Sequence, residues 1–177
     1  MPEGGGSLAP ILRPASIAVI GASRAPGTIG YNLVTNLVHC GFNGPVYPVN
    51  PKATSIGSVP AFPSLDAIPG QVDLGVIVVP KEHVLDVTRQ CIARGVGGLV
   101  VISAGFREVG PEGAEREREL TQLVRAHGIR MVGPNCMGVL NADPAIRLNA
   151  TFATWLPDFG RIGFVSHTGA IGMSLLD

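Results

Sequence analysis

Short apolar runs alternate with longer segments of mixed character along most of this sequence. Residues 17–20, 72–80 and 99–103 are apolar at nearly every position, which is typical of strands buried on both faces. The segments between such runs, for example residues 28–40 and 111–127, repeat apolar residues at the i, i+3, i+4 spacing of an amphipathic helix. The pattern therefore predicts strands and helices in alternation.

Five strands and three main helices are expected. The predicted strands are residues 16–20, 44–52, 72–80 and 99–103 and a short fifth strand opening at Ile129, and the helices are residues 28–40, 82–94 and 111–127. A turn-rich link with a short helical piece near Leu65 follows the second strand. Apolar strands joined by helices build a parallel sheet with helices on both faces, because crossovers are right-handed. We therefore expect a doubly wound, Rossmann-like α/β domain.

Outside this alternating pattern the chain has three further parts. Residues 1–14 are expected to be a flexible lead with a short apolar anchor at Leu8, Ile11 and Leu12, and residues 15–141 the α/β domain. Residues 142–160 show little periodicity and are interpreted as a linker. Residues 161–177 restart the order strand, glycine-rich turn, helix. Since one strand and one helix cannot bury their own apolar faces, we interpret this last part as the start of a second α/β domain in a longer protein.

The turns after the predicted strands are rich in small residues, glycine and proline. In a doubly wound sheet, ligands bind beyond the carboxyl ends of the strands, where these turns converge. The five turns are "GASRAPGTIG", "VNPK", "VVPKE", "ISAGFRE" and "GPNCMG". The first resembles a phosphate-binding turn, since backbone N–H groups and a helix N-terminus stabilise an anion. Ser23 and Thr28 add hydroxyl donors there, and Thr28 is also a candidate helix N-cap.

The first two turns lack features that P-loop and dinucleotide sites require, and this limits which phosphate compound could bind. The first turn has no Gly-Lys-Ser/Thr ending, and its glycines at 21, 27 and 30 do not fit the dinucleotide spacing GxGxxG. The second strand ends in "VNPK", with Lys52 where a dinucleotide site has an acid for the ribose 2′-OH. NAD is therefore disfavoured. NADP and a 3′-phosphorylated ADP, as in coenzyme A (CoA), both remain open.

Composition excludes several other classes. Thirteen basic and thirteen acidic residues cancel, and no basic block suggests a nucleic-acid surface. The three cysteines, Cys40, Cys91 and Cys136, are far apart and form no CxxC pair, so neither a disulfide framework nor a metal site is expected. No signal peptide or membrane-length apolar run occurs. We expect a cytoplasmic protein.

Six segments, in this order, resemble one known family. The segments are "IAVIGAS…GTIG", "VYPVNPK", "GVIVVP", "VVISAGFRE", "GIRMVGPNCMGVLN" and "GRIGFVSHTGAIG". They are similar to the CoA-binding domain of ADP-forming acyl-CoA synthetases, with the succinyl-CoA synthetase α subunit as a more distant relative. The same module occurs fused to bacterial protein lysine acetyltransferases. The resemblance extends from Ile11 onward and implies a flavodoxin-like second domain after residue 160.

The resemblance also implies a set of CoA-binding residues and no catalytic residue in this chain. In the first turn, the residues expected to hold CoA phosphate are Gly21, Ala22, Ser23, Gly27, Thr28 and Gly30. The segment Val49, Asn50, Pro51 and Lys52 is expected near the adenosine, with Lys52 on a CoA phosphate. The pantetheine and adenine are expected along Val79, Pro80, Ser103, Ala104 and Gly105. The thiol end is expected near Asn135 and Cys136.

The resemblance implies that the complete enzyme converts acyl-CoA, phosphate and ADP to acid, CoA and ATP through a phosphohistidine, with Mg²⁺. That histidine is expected beyond this chain, so the chain should bind CoA or acyl-CoA without turnover. His167 is interpreted as a turn residue near the phosphoryl site, and Ser166, Thr168 and Gly169 as a second phosphate-binding turn. Expected partners are the other synthetase domains or a β subunit, with a homo-oligomer also open. The alternatives are a CoA-sensing module for a fused acetyltransferase and an NADP-dependent oxidoreductase.

Two further residues are of a type that could take part in catalysis or ligand binding. Cys136 is a candidate nucleophile by type, but no histidine is close to it in the sequence, so we do not expect catalysis there. Glu108 follows the "ISAGF" turn and is placed either to meet a ligand or to remain a solvated loop acid.

Overall fold

The computed structural model describes residues 7–153 and 155–176. Its strands are β1 (Ile17–Ile20), β2 (Val46–Val49), β3 (Ser55–Ile56), β4 (Val59–Pro60), β5 (Leu74–Ile77), β6 (Gly98–Val101), β7 (Arg130–Val132), β8 (Gly138–Asn141) and β9 (Leu148–Thr151). Its helices are α1 (Ala9–Leu12), α2 (Ile29–His39), α3 (Lys81–Ala93), α4 (Pro111–Ala126) and α5 (Gly169–Leu176), with 3-10 turns at Leu65–Ala67 and Arg107–Val109. The predicted alternation is therefore confirmed from β1 to β7.

The central sheet contains five parallel strands in the order β2-β1-β5-β6-β7. Ile20 lies between Val49 of β2 and Ile77 of β5, so these three strands end level with one another. The chain builds outward from β1 to β2 and then crosses back to β5 on the other side of β1. The order of the strands thus reverses between β1 and β5, the place where open α/β sheets bind ligands.

Apolar side chains cover both faces of the sheet. Strands β1, β5 and β6 are buried at every residue, as their unbroken apolar sequences predict. On one face, Ile17 and Val19 pack in a core with Leu33 and Leu37 of α2. On the other face, alternate strand residues pack in a second core with α3 and α4. Burial on both faces makes the sheet a rigid base for the turns at its carboxyl edge.

The start of the described chain is anchored to the sheet, in contrast to the flexible lead expected over residues 1–14. Helix α1 buries Ile11, which is only 1% exposed. Space for it comes from Gly98, where a Cβ would lie 2.6 Å from Ile11 Cγ1. Of the apolar anchor expected at Leu8, Ile11 and Leu12, only Ile11 is buried, whereas Leu8 and Leu12 are exposed. Residues 1–6 lie outside the described residues.

A buried hairpin occupies part of the segment expected to be a linker over residues 142–160. Strand β9 pairs antiparallel with β8, and all four of its residues are buried. Two of them are polar, and local hydrogen bonds satisfy them: the Thr151 hydroxyl donates to Asn149 Oδ1 at 2.7 Å. Asn36 of α2 donates to the carbonyls of Thr151 and Ala153. The sequence "LNAT" gives no sign of this buried strand, because its two polar residues break the apolar pattern, and the hydrogen bonds that let them be buried form only in the fold.

The segment after the hairpin differs from its predicted order of strand, turn and helix. Helix α5 forms, but residues 162–166 adopt no strand, and Ile162 and Val165 are 94% and 96% exposed. A strand needs a hydrogen-bonding neighbour, and none of the described residues supplies one for this segment. In the part of the chain that the structure describes, no helix is long and apolar enough to cross a membrane.

Candidate functional site

Two glycines shape the turn between β1 and α2. Gly21 has a φ of +92°, and a Cβ there would lie 2.9 Å from the carbonyl carbon and oxygen of Val78. Gly30 lies in the first turn of α2, and a Cβ there would lie 2.5 Å from the Gly21 carbonyl oxygen. The missing side chains let the helix N-terminus approach the end of β1 closely. This is the arrangement in which backbone N–H groups face an anion.

The two hydroxyls of this turn have different roles. Thr28 is the N-cap of α2, and its Oγ1 accepts from Tyr31 N at 3.4 Å and donates to the Ala25 carbonyl at 2.7 Å. Its hydrogen is therefore committed within the turn, which corrects the expectation of a free donor. Ser23 Oγ accepts from Ala25 N at 3.1 Å, and in the described residues its hydroxyl hydrogen has no protein acceptor. Of the two hydroxyls of this turn, that of Ser23 is therefore the one not committed to a carbonyl of the described residues.

The turn after β2 is tied to the glycine turn by one side chain. Asn50 Nδ2 donates to the Ala22 carbonyl at 2.7 Å, and Asn50 Oδ1 accepts from Lys52 N at 2.8 Å. Lys52 is exposed. The predicted phosphate turn and the predicted phosphate lysine are therefore held next to each other.

The turns after β5 and β6 are also fastened together. Ser103 Oγ donates to the Val79 carbonyl at 2.6 Å, so the Ser103 hydroxyl is used inside the protein. Gly105 has a φ of +101°, and a Cβ there would lie 2.3 Å from Lys81 Cδ. The alkyl chain of Lys81 therefore lies directly on Gly105. The guanidinium of Arg116 donates to the Gly105 carbonyl and fixes this turn from the α4 side.

The carboxylate of the exposed residue Glu108 stabilises the turn after β6. Its Oε1 accepts from Gly105 N at 2.5 Å and from Phe106 N at 3.2 Å. Desolvation raises the pKa of Glu108, but hydrogen bonds from these N–H groups, its own N–H and the Asn135 side chain outweigh it, so the pKa falls below its usual value. Of the two roles that the sequence allows for Glu108, the geometry supports a loop acid with a structural task.

The turn after β7 is the last of the five turns, which form a row along the carboxyl edge of the sheet. Asn135 has a φ of +53°, and its N–H donates to the Ser103 carbonyl at 3.0 Å. Cys136 Sγ donates to the Val101 carbonyl at 3.3 Å, and burial raises the pKa of this thiol to about 11. A thiol with that pKa is protonated at neutral pH and is a poor nucleophile. All three cysteines are free thiols.

The second glycine turn, before α5, lies beside the "GPNC" turn. Ser166 Oγ accepts from Thr168 N at 3.1 Å, and a Cβ at Gly169 would lie 3.5 Å from Met137 Cβ. Met137 follows Cys136 directly in the sequence. His167 is exposed. The start of α5 is therefore close to the Cys136 end of the row of turns.

Three cations at this edge, Arg24, Lys52 and Lys81, form no ion pair among the described residues. Seven other arginines of the fold pair with carboxylates or backbone carbonyls. Those seven are Arg13, Arg89, Arg94, Arg107, Arg116, Arg118 and Arg147. Lys81 is not among the site residues expected from the sequence. Its position directly after Pro80, in a turn already recognised, is the signal that identifies it.

The row of turns is long and open. Strands lie about 4.8 Å apart, so the turn after β2 and the turn after β7 are separated by roughly 19 Å. A depression of about 410 Å³ lies elsewhere, on the outer side of α4 between residues such as Arg107 and Arg125. Arg107 is the one residue of the five turns among those that line it, and none of the predicted CoA-binding residues does so. The row of turns therefore fits an extended ligand with an anionic end at β1 and β2.

Comparison with known proteins agrees with this fold. The model of the CoA binding domain family matches residues 15–142, and the chain belongs to this family. Its relatives include ADP-forming acyl-CoA synthetases. The chain is 45% identical over 164 residues to acetate–CoA ligase [ADP-forming] I of Archaeoglobus fulgidus, and 43% identical over 163 residues to the α subunit of acetate–CoA ligase [ADP-forming] II of Pyrococcus furiosus.

The chain corresponds to a part of these relatives. The alignments cover 93% and 92% of this chain but 23% and 35% of the two relatives. A crystal structure from Pyrococcus horikoshii OT3 superimposes with a TM-score of 0.90 at 42% identity, covering 96% of this chain and 38% of that one. Acetyl-coenzyme A synthetase 1 of Ca. Korarchaeum cryptofilum, in complex with phosphate and ADP, superimposes with a TM-score of 0.84 at 40% identity, covering 96% and 36%.

Proposed function

We propose that this chain binds CoA or acyl-CoA along the carboxyl edge of its sheet, as the CoA-binding domain of an ADP-forming acyl-CoA synthetase. The observation that carries the proposal is the pairing of the glycine turn with Lys52. The lysine follows β2, is held beside the turn by Asn50, and has no ion pair in the described part of the chain. A dinucleotide fold has an acid at the end of this strand, and a cation suits a ribose that carries a phosphate.

Different residues of the site would bind different parts of the ligand. The N–H groups at the start of α2, together with Ser23, would hold the diphosphate, and Lys52 would hold the 3′-phosphate. Residues along the turns after β5 and β6 would line the pantetheine and adenine, namely Val79, Pro80, Ser103, Ala104 and Gly105. Asn135 and Cys136 would lie near the thiol end. CoA itself supplies the thiol that carries the acyl group, and Cys136 stays protonated beside it.

The complete protein would convert acyl-CoA, ADP and phosphate to acid, CoA and ATP with Mg²⁺. This proposal rests on the ADP-forming ligases that the chain resembles. The partner of this chain would be the rest of the synthetase, on the same polypeptide or on a second subunit, since the relatives include both single chains and α subunits. The cytoplasm is the proposed location, because all three cysteines remain free thiols.

Isothermal titration calorimetry of the 177-residue chain tests the proposal. We expect CoA and acetyl-CoA to bind with a stoichiometry of one, and NADPH to bind far more weakly. Mass spectrometry of the protein under native conditions, as purified, should also detect bound CoA. Binding of NADPH without binding of CoA would overturn the proposal in favour of an oxidoreductase.

A further inference from the structure

We propose that Asn50 is a positioning residue that determines the preference for a 3′-phosphate, by holding Lys52 at a set distance from the glycine turn. The inference rests on the proposed CoA-binding function. It assigns Asn50 a role through Lys52 rather than a contact with the ligand.

The backbone of Asn50 is fixed first. Asn50 N donates to the Phe62 carbonyl at 2.9 Å, and Phe62 N donates to the Pro48 carbonyl at 2.8 Å. Phe62 also packs its ring edge against Tyr47 of β2, with the ring centroids 5.6 Å apart. Residues after β4 therefore cover the edge of β2 and hold Asn50 from outside the sheet.

The side chain of Asn50 then connects two turns. Its Nδ2 must face the Ala22 carbonyl, and its Oδ1 must face the Lys52 N–H, because a carbonyl accepts and an N–H donates. Ala22 is buried and forms part of the glycine turn. One rigid amide thus sets the spacing between the proposed diphosphate site and the backbone of Lys52.

The same geometry explains why Asn50 would not act as the acid of a dinucleotide site. That acid accepts hydrogen bonds from a ribose diol. Asn50 instead turns its oxygen to Lys52 N and its nitrogen to Ala22, so its polar groups point into the protein's own turns. The cation two residues later takes over recognition of the ribose substituent.

A double-mutant cycle tests the inference with two ligands, CoA and dephospho-CoA, which differ only in the 3′-phosphate. In the unchanged chain we expect CoA to bind about tenfold more tightly than dephospho-CoA, as one charge-assisted contact predicts. Asn50→Ala should reduce this ratio to about that of Lys52→Ala, and the double variant should reduce it no further. Asn50→Ser should restore part of the ratio, because a serine hydroxyl still accepts from the N–H two residues later.

Asn43→Ala is the matched control. Asn43 is an exposed asparagine before β2, and its Nδ2 donates to the Ala145 carbonyl at 3.4 Å, away from the turns. It should leave both affinities unchanged. Urea unfolding of every variant, followed by circular dichroism, separates lost folding from lost preference.

The outcomes are distinct. If Asn50→Ala weakens both ligands equally and keeps their ratio, Asn50 has only a structural role and the inference is overturned. If the effects of Asn50→Ala and Lys52→Ala on the ratio add, the two residues act independently and the inference is also overturned. If the unchanged chain binds neither ligand, the proposed function itself fails, and this inference fails with it.

Discussion

Lys52 is one of two lysines in the chain. The other, Lys81, begins α3 after β5 and lies against Gly105. We predict that Lys52→Ala weakens CoA by five- to tenfold and dephospho-CoA by less than twofold, since only CoA has the 3′-phosphate. Lys81→Ala serves as the control of equal charge change and should leave the ratio of the two affinities unaltered. Equal losses for both ligands in Lys52→Ala, measured by calorimetry, would place its contact on the diphosphate instead.

Glu108 provides a residue-scale prediction about pH. Its pKa is lowered in the folded chain, so its contribution to stability is present above its unfolded pKa of about 4.3 and is lost as pH falls through the folded value. Glu108→Gln should therefore lower the free energy of unfolding at pH 7 and have a smaller effect at pH 3.5. Urea denaturation at both pH values measures the difference. Asp158→Asn, at an exposed position outside the helices and strands, is the control that removes the same charge and should change the free energy of unfolding by less than about 0.5 kcal/mol.

The thiol of Cys136 gives a second test at this scale. With a pKa of about 11, only about one molecule in a thousand carries the thiolate at pH 8. We expect iodoacetamide to alkylate Cys136 slowly in the folded chain and rapidly in urea, with the sites assigned by mass spectrometry. Rapid alkylation of the folded chain at pH 8 would show that Cys136 is activated and would reopen a catalytic role.

At the scale of elements, the contact between α2 and the glycine turn depends on Gly30. Alanine is about 1 kcal/mol better than glycine inside a helix, yet a Cβ here would lie 2.5 Å from the Gly21 carbonyl oxygen. We predict that Gly30→Ala lowers the free energy of unfolding by about 1–3 kcal/mol and weakens CoA, because the helix N-terminus must shift. Thermal unfolding and calorimetry measure the two effects.

The control for this contact is Gly160→Ala. Apart from its chain neighbours, no atom of the described residues lies within 4 Å of a Cβ at Gly160, so this variant should stay within about 0.5 kcal/mol of the unchanged chain. A stable Gly30→Ala with normal affinity would show that the turn tolerates movement of α2.

Elements with an uninterrupted apolar or helical pattern could be predicted from the sequence. Their observed bounds agree with the predicted ones to within a few residues, except that some predicted strands include part of the turn that follows them. Helix α3 is predicted at residues 82–94 and found at Lys81–Ala93. Strand β9 could not be predicted, because two polar residues interrupt its apolar pattern. The apolar residues of α1 could be recognised as an anchor, but their helical form could not, because four residues are too few to show a period. Most turns of the candidate site could also be predicted, because each one follows directly after a predicted strand.

For the whole molecule, ligand binding is coupled to stability. A ligand at 100 times its dissociation constant stabilises the folded state by about 2.7 kcal/mol, which for a chain of this size raises Tm by roughly 5–10 °C. We predict such a shift with CoA and acetyl-CoA in thermal unfolding. NADPH at the same concentration is the control and should shift Tm by less than 2 °C. An equal shift with NADPH would contradict the preference proposed for this site.

The alternation of strands and helices, the parallel sheet and the five turns at its carboxyl edge follow from the sequence, because apolar periodicity and turn residues are local properties of the chain. The use of individual polar groups becomes visible in the folded structure. Thr28 and Ser103 donate to carbonyls inside the protein, and the Glu108 carboxylate accepts from N–H groups of its own loop. Asn50 joins the glycine turn to Lys52. Composition and periodicity do not reveal these partners, because each depends on the folded path of a turn, as for Thr28 and Glu108, or on which strands lie side by side, as for Ser103 and Asn50.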